Sequence, residues 1–199
     1  MTLIAITGGI GSGKSMVSRI VQVMGYQVYD CDSQAKTLMV TDENVRSQLK
    51  AAFGEQTYLD DGSINRQHLS AIAFADEQTL AHLNAIVHPA VAADLKRWTR
   101  CLADKGARAA FVETALLRTA RLDQVVDSVW HVTAPPRVRI TRVMQRSGLT
   151  EQQVLERIAA QAAEETIHNG EYELVNDNIT ALMPQVITLL ELLDNKKKQ

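Results

Sequence analysis

Apolar positions along this chain follow two rhythms that alternate from end to end. Short runs have the length and the β-formers of buried strands: Leu3-Ile4-Ala5-Ile6, Tyr26-Gln27-Val28-Tyr29, Ala109-Ala110-Phe111-Val112, Ser128-Val129-Trp130-His131-Val132-Thr133 and Tyr172-Glu173-Leu174-Val175. Between them apolar residues recur every three or four positions, the spacing of a helix face. Met16, Val17, Ile20, Val21 and Met24 form the first stripe, and Gly25 is placed to stop it. Val186, Ile187, Leu189, Leu190 and Leu193 form the last, on a helix over 181–193 with Pro184 in its first turn. Strands alternating with helices predict a parallel sheet covered on both faces.

The first strand runs straight into Gly8-Gly9-Ile10-Gly11-Ser12-Gly13-Lys14-Ser15, and the first helix follows. Strand, glycine loop and helix are the context in which such a sequence binds phosphate. The glycines let the backbone curl so that successive N–H groups point at phosphate oxygens, and the helix start adds its positive dipole end. Lys14 reaches the outer phosphates and the Ser15 hydroxyl holds a Mg²⁺ that bridges them. The expectation is a protein that binds a nucleoside triphosphate, with the three-layer α/β/α fold of P-loop NTPases.

Carboxylates stand just past two strand ends, where ligands of parallel sheets sit. Asp30 and Asp32 follow the second strand. Because side chains alternate along an extended segment, they can share a face, with Cys31 pointing away. One of them is then a general base or a water-mediated Mg²⁺ ligand, while Asp32 or Ser33 can also cap a helix over 34–39. Glu113 ends the third strand and is a candidate to hold Mg²⁺ through its water shell, a surface or capping role being the alternative.

Two blocks interrupt the alternation. A helix over 42–52 is closed by Gly54, residues 59–63 carry turn chemistry, and a long helical region covers 66–105. His88-Pro89 interrupts that region, so the spacing predicts one helix ending near Val87 and a second beginning at Pro89. With no strand signal, about 55–105 reads as a helical insertion suited to a substrate lobe. His88 is a packing or capping residue or a contact to substrate phosphate. The second block follows Ala134-Pro135-Pro136. Arg139, Arg142 and Arg146, after Arg137, are three and four apart and line one helix face. Thr150-Glu151-Gln152-Gln153 is a capping box that opens a further helix with Arg157 and Gln161. The block at about 136–168 reads as a lid that brings charge to a transferring phosphoryl group, against the plainer reading of a solvated arginine face.

Composition narrows the class. The chain has 199 residues, the size of one domain with inserted subdomains. Its 21 basic and 23 acidic residues nearly cancel, which argues against a general nucleic-acid or membrane-surface binder. Lys196-Lys197-Lys198 reads as a solvated tail. Cys31 and Cys101 form neither a disulfide framework nor a metal-ligand spacing. A start on a core strand leaves no room for a leader, and no apolar run reaches the ~18 residues of a span, so the expectation is a soluble cytoplasmic protein. The absence of an Asn-Lys-x-Asp guanine-reading segment and of a transporter signature disfavours a GTPase switch or a transport motor.

Taken with their order, Thr7 to Ser15, Asp30-Cys31-Asp32 with Ala35, Leu83-Asn84-Ala85-Ile86-Val87-His88-Pro89, Ala134-Pro135 leading into Arg142 and Arg146, and Gln161 resemble the dephospho-CoA kinase family over nearly the whole chain. The resemblance implies a cytoplasmic enzyme, expected to be a monomer. It uses ATP and Mg²⁺ to phosphorylate the ribose 3′-hydroxyl of dephospho-CoA, the last step of coenzyme A synthesis. It implies one kinase domain over 1–199 with a CoA-binding lobe and a lid. The triphosphate lies on Gly9, Ile10, Gly11, Ser12, Gly13, Lys14, Ser15 and Met16. Asp32 is the usual base of the motif, and Arg142 acts on the transferring group. Asp30, His88, Arg139 and Arg146 are substrate contacts, and the segment Asn176 to Asn178 lies on the adenine side. The chain departs from the family pattern at Arg118-Thr119, where an aromatic residue and an acid are usual, at Ile167, where a base is common, and at Ile179, where a glycine is expected.

Overall fold

The computed structural model describes residues 1–73 and 77–196. The chain runs β1 (Thr2–Thr7), α1 (Lys14–Val23), β2 (Gln27–Asp30), α2 (Cys31–Thr41), α3 (Glu43–Phe53), α4 (Arg66–Ala73), α5 (Glu77–Asp104), β3 (Ala109–Glu113), β4 (Ser128–Thr133), α6 (Pro136–Ser147), α7 (Glu151–Ala160), β5 (Tyr172–Val175) and α8 (Leu182–Lys196). Lys197 and Lys198 of the basic tail lie outside the described residues. The chain divides into two compact units, Met1–Tyr29 with Leu102–Gln199, and Asp30–Cys101.

The first unit carries the sheet, in the order β2-β3-β1-β4-β5. β1 pairs in parallel with β3 and β4, and β4 with β5. From β1 the chain goes to one side for β2 and β3, then to the other for β4 and β5. The turn after β1 is therefore at the point where strand order reverses, the crevice where open parallel sheets hold ligands. β1, at the centre of the sheet, is a continuous apolar run buried on both faces: Leu3, Ile4, Ala5 and Ile6 are all buried. Ile4, Ile6, Phe111, Trp130, Val132 and Leu174 of the sheet pack with Val17 and Val21 of α1 and Val186, Leu189 and Leu190 of α8. Phe111 meets Trp130 edge-on, ring centroids 5.0 Å apart. This is the P-loop α/β architecture expected from the sequence.

The second unit is helical. α3 is capped by Asp42, whose carboxylate accepts from Asn44 and Val45 N–H. Tyr58 donates to the Met39 carbonyl at 2.6 Å, and the Arg46 guanidinium lies 4.5 Å from the centre of its ring. One prediction needs correction. Pro89 does not open a second helix but sits inside α5, a helix of 28 residues. Proline removes one backbone bond and crowds a preceding carbonyl. The helix continues because Ile86 and Val87 before it, and Val91 and Leu95 after it, are all buried. His88 is half-buried in this helix, and burial lowers its pKa from the ordinary histidine value.

A second, fully buried histidine lies in β4. His131 is paired in register with Thr7 of β1 and with Glu173 of β5. Its Nδ1 has no hydrogen-bond partner and is 3.8 Å from Glu171, which is itself paired with Arg118. Burial, with the Arg118 charge, lowers its pKa, against opposing pulls from Glu171, Glu165 and Glu173. The folded chain thus gives up the His131 proton more readily than the unfolded chain, whose histidines titrate near ~6.5. Its contribution is complete above that value and is lost as pH falls through the window below it. Thermal melts of ligand-free protein should show Tm falling below pH ~6.5, by at most ~1.4 kcal/mol per pH unit for each such histidine, or about 3 °C in a chain of this size. His131→Gln should flatten the fall, and a Tm that rises on acidification contradicts the assignment.

Candidate active site

The loop between β1 and α1 is shaped by its own backbone and by two later segments. Gly8, Gly11 and Gly13 take positive φ angles of 140°, 78° and 101°, which side chains rarely allow. Ser12 N–H donates to the Gly9 carbonyl, and Met16 N–H to the Gly13 carbonyl at 2.9 Å as α1 begins. The Lys14 ammonium folds over the loop, 2.8 Å from the Gly8 carbonyl and 3.3 Å from that of Gly9. Ser15 is exposed in the first turn of α1.

α6 packs directly on this loop, so that a Cβ on Gly11 would crowd the Arg139 backbone and the Val143 side chain. Its arginines have different environments. Arg139 is 6% exposed; its Nε donates to the Ile10 carbonyl at 2.8 Å, and its two terminal nitrogens each meet a Glu165 oxygen at 2.6 Å. Arg142 donates to the Gly11 and Ser12 carbonyls at 3.3 Å, to the Asn176 carbonyl at 3.0 Å, and to the Asn178 side chain. Arg146 is exposed. Thr150 and Gln153 form the expected capping box on α7. At the end of α7, Gln161 accepts from Ile10 N–H at 2.8 Å. The Ile10 and Met16 N–H groups, expected on the triphosphate, are therefore committed within the protein here.

Asn176, after β5, ties three parts together. Its N–H donates to Thr133, its amide nitrogen to the Ser12 carbonyl at 2.8 Å, and its side-chain oxygen accepts from Arg142. Asn178 takes the left-handed conformation at φ 71°, which asparagine tolerates best after glycine, and Ile179 behind it is 91% exposed. At the end of β3, Glu113 is half-buried. Beyond it, the departures at Arg118-Thr119 are accommodated by acids. The buried Glu164 accepts from the N–H groups of both residues, and the Arg118 side chain donates to the Glu164 carbonyl and pairs with Glu171. Asn176 lies in the segment that the resemblance placed on the adenine side, whereas Glu164 and Glu165 carry no motif of their own.

In the second unit, Asp30 and Asp32 part company. The chain does not stay extended past Asp30, because α2 begins at Cys31 with Asp30 as its cap. One Asp30 oxygen accepts from Asp32 N–H at 3.0 Å and Ser33 N–H at 3.2 Å, the other from the Ser33 hydroxyl at 2.6 Å. The expected cap at Asp32 or Ser33 is thus corrected to Asp30. Asp32 sits in the first turn with its side chain exposed.

No group of three or more acids, histidines or cysteines able to hold a metal occurs among the described residues. The donors expected from the sequence are the Ser15 hydroxyl at the loop and the Glu113 carboxylate at a strand end. A hard cation that keeps several waters and takes its other oxygens from phosphates fits such a sparse set.

Comparison with known proteins agrees with this arrangement. The family model for dephospho-CoA kinase matches residues 2–181. A dephospho-CoA kinase of Porphyromonas gingivalis is 34% identical over 200 aligned positions, covering 99% of this chain and 96% of that protein. One from Shouchella clausii is 38% identical over 158, covering 79% and 80%. The solved structure of a dephospho-CoA kinase from Campylobacter jejuni superposes with a TM-score of 0.71 at 21% identity, over 98% of both chains, a likeness of fold. A phosphate loop at the sheet's switch point, an arginine helix packed on it and a family match over 180 of its residues (2 through 181) put the chain in the dephospho-CoA kinase family.

Proposed function

We propose that this protein transfers the terminal phosphoryl group of ATP to the ribose 3′-hydroxyl of dephospho-CoA, giving coenzyme A and ADP. The observation that carries the reading is the phosphate loop itself, seated at the strand reversal in a chain of this family. The inserted region at about 55–105 is the acceptor lobe and the region at about 136–168 the lid.

The loop backbone and Lys14 hold the triphosphate. Lys14 exchanges the Gly8 and Gly9 carbonyls for phosphate oxygens when the nucleotide enters. Ser15 would hold a Mg²⁺ ion, with Glu113 reaching it through water, and such an ion would supply positive charge to the outer phosphates. Asp32 accepts the proton as the 3′-oxygen forms its bond to phosphorus, while the bond from phosphorus to the bridging oxygen breaks and ADP departs. Asp30 holds the helix that presents Asp32. Arg142, oriented by Asn176 and Asn178, supplies positive charge at the loop, and the exposed Arg146 on the same helix is a contact to substrate. His88 is a contact of the acceptor lobe. As the family resemblance implies, the enzyme acts in the cytoplasm, and we take it to be a monomer.

The test is ADP release by the purified protein with ATP and Mg²⁺, with and without dephospho-CoA, the product weighed by mass spectrometry. Acceptor-dependent ADP and a product heavier by one phosphoryl group are expected. ATP binding without coenzyme A formation would remove dephospho-CoA as the acceptor.

A further inference from the structure

One peptide group of the loop is gripped on both sides. The Ile10 N–H is taken by Gln161 and the Ile10 carbonyl by Arg139, each at 2.8 Å. Arg139 reaches that carbonyl with its Nε because the other edge of its fork is held by both oxygens of Glu165. The pair lies against the bare face of Gly9, where a Cβ would collide with the Glu165 carboxylate and the Arg139 guanidinium. Gln161 and Glu165 bracket the short 3-10 turn Ala162–Glu165 that follows α7.

We propose that Glu165 is a positioning residue for nucleotide binding: acting through Arg139, and beside Gln161, it fixes the Ile10 peptide and so presets the loop before ATP arrives. The inference rests on the reading of the loop as the ATP site. A guanidinium has five donors in a rigid plane, and the bidentate carboxylate selects which of them faces the loop. Without Glu165, Arg139 is an unpaired charge among the carbonyls of the loop and is free to rotate. Nothing then fixes the Ile10 carbonyl, and ATP must order the loop as it binds. That cost falls on affinity for ATP, because saturating nucleotide restores the same bound loop. On the reading above, the acceptor is held by the inserted lobe and not by this peptide.

The experiment measures the ATP dissociation constant by calorimetry without acceptor, then KM for each substrate and kcat, for Glu165→Gln, Arg139→Lys and the double variant. Thr150→Ala, which loses the cap of α7 and leaves the grip intact, is the stability control. ATP affinity should weaken about tenfold in each single variant, and in Glu165→Gln kcat and the acceptor KM should stay within about twofold. The double should be no weaker than the worse single, because the two residues act along one path. If Glu165→Gln does not fold, Arg139→Lys, which keeps the charge but not the fork, decides alone. Unchanged ATP affinity in the folded variants, a loss confined to kcat, losses that multiply in the double, or the same weakening in Thr150→Ala would each overturn the proposal. A wild type that binds ATP but makes no coenzyme A would remove the acceptor assignment alone, since the affinity readout does not use it.

Discussion

Asp32→Asn is expected to lower kcat by about 10²–10⁴-fold while the protein still folds and binds ATP with little change. That range is the usual worth of a positioned general base. Asparagine keeps the size of the side chain but cannot take the proton of the attacking hydroxyl. Asp30 provides the contrast. Its two oxygens are spent on Asp32 N–H, Ser33 N–H and the Ser33 hydroxyl, so its work is to start α2. Asp30→Ala should cost about 1 kcal/mol for the lost cap, a Tm drop of about 2–4 °C, and Asp30→Asn, which still caps, should cost less. Steady-state kinetics and thermal melts on the three variants separate the roles. A kcat collapse in Asp30→Asn with activity retained in Asp32→Asn would assign the base to Asp30 instead.

The reason sequence alone left the two carboxylates tied is physical. Alternation along an extended chain and a helix that starts one residue after a strand make opposite statements about which side chain is occupied. Nothing in Asp30-Cys31-Asp32-Ser33 fixes where extension ends. The strands were easier to read, because short runs of β-formers and apolar residues mark them locally. Ala109–Glu113, Ser128–Thr133 and Tyr172–Val175 fall where the runs placed them. Pro89 misled for the opposite reason: a local rule about proline was outweighed by four buried apolar residues that only the folded lobe provides. The arginine helix was legible as a face and illegible as a set of roles. Spacing puts Arg139, Arg142 and Arg146 together, but the partners that distinguish them, Glu165 and Asn176, come from 26 and 34 residues further on. The charge at Arg118, which looked like a loss from the family pattern, is met by Glu164 and Glu171, acids whose connection to it exists only in three dimensions.

Gly8→Ala should be far more damaging than the same change at Gly9 or Gly25. The backbone there has φ of 140°, and the new Cβ would press into the Val132 carbonyl of β4 and lie 2.9 Å from the Ser12 hydroxyl. The Val132 obstacle is backbone in the middle of the sheet, so no side chain can swing aside to make room. Conformational strain of ~1–3 kcal/mol adds to overpacking of ~1–3 kcal/mol. A total of ~4 kcal/mol lowers Tm by about 10 °C in a chain of this length. Gly25→Ala isolates the first part, since its φ is 92° but nothing lies within 4 Å of the added atom. That variant should lose only ~1–2 kcal/mol. Gly9→Ala lies between the two, because its obstacles are the ends of the Glu165 and Arg139 side chains. Melting curves of the three, with ATP affinity measured on those that fold, test the ranking. If Gly8→Ala melts with Gly25→Ala, β4 has yielded, and the close approach of strand and loop is not what requires glycine at this position.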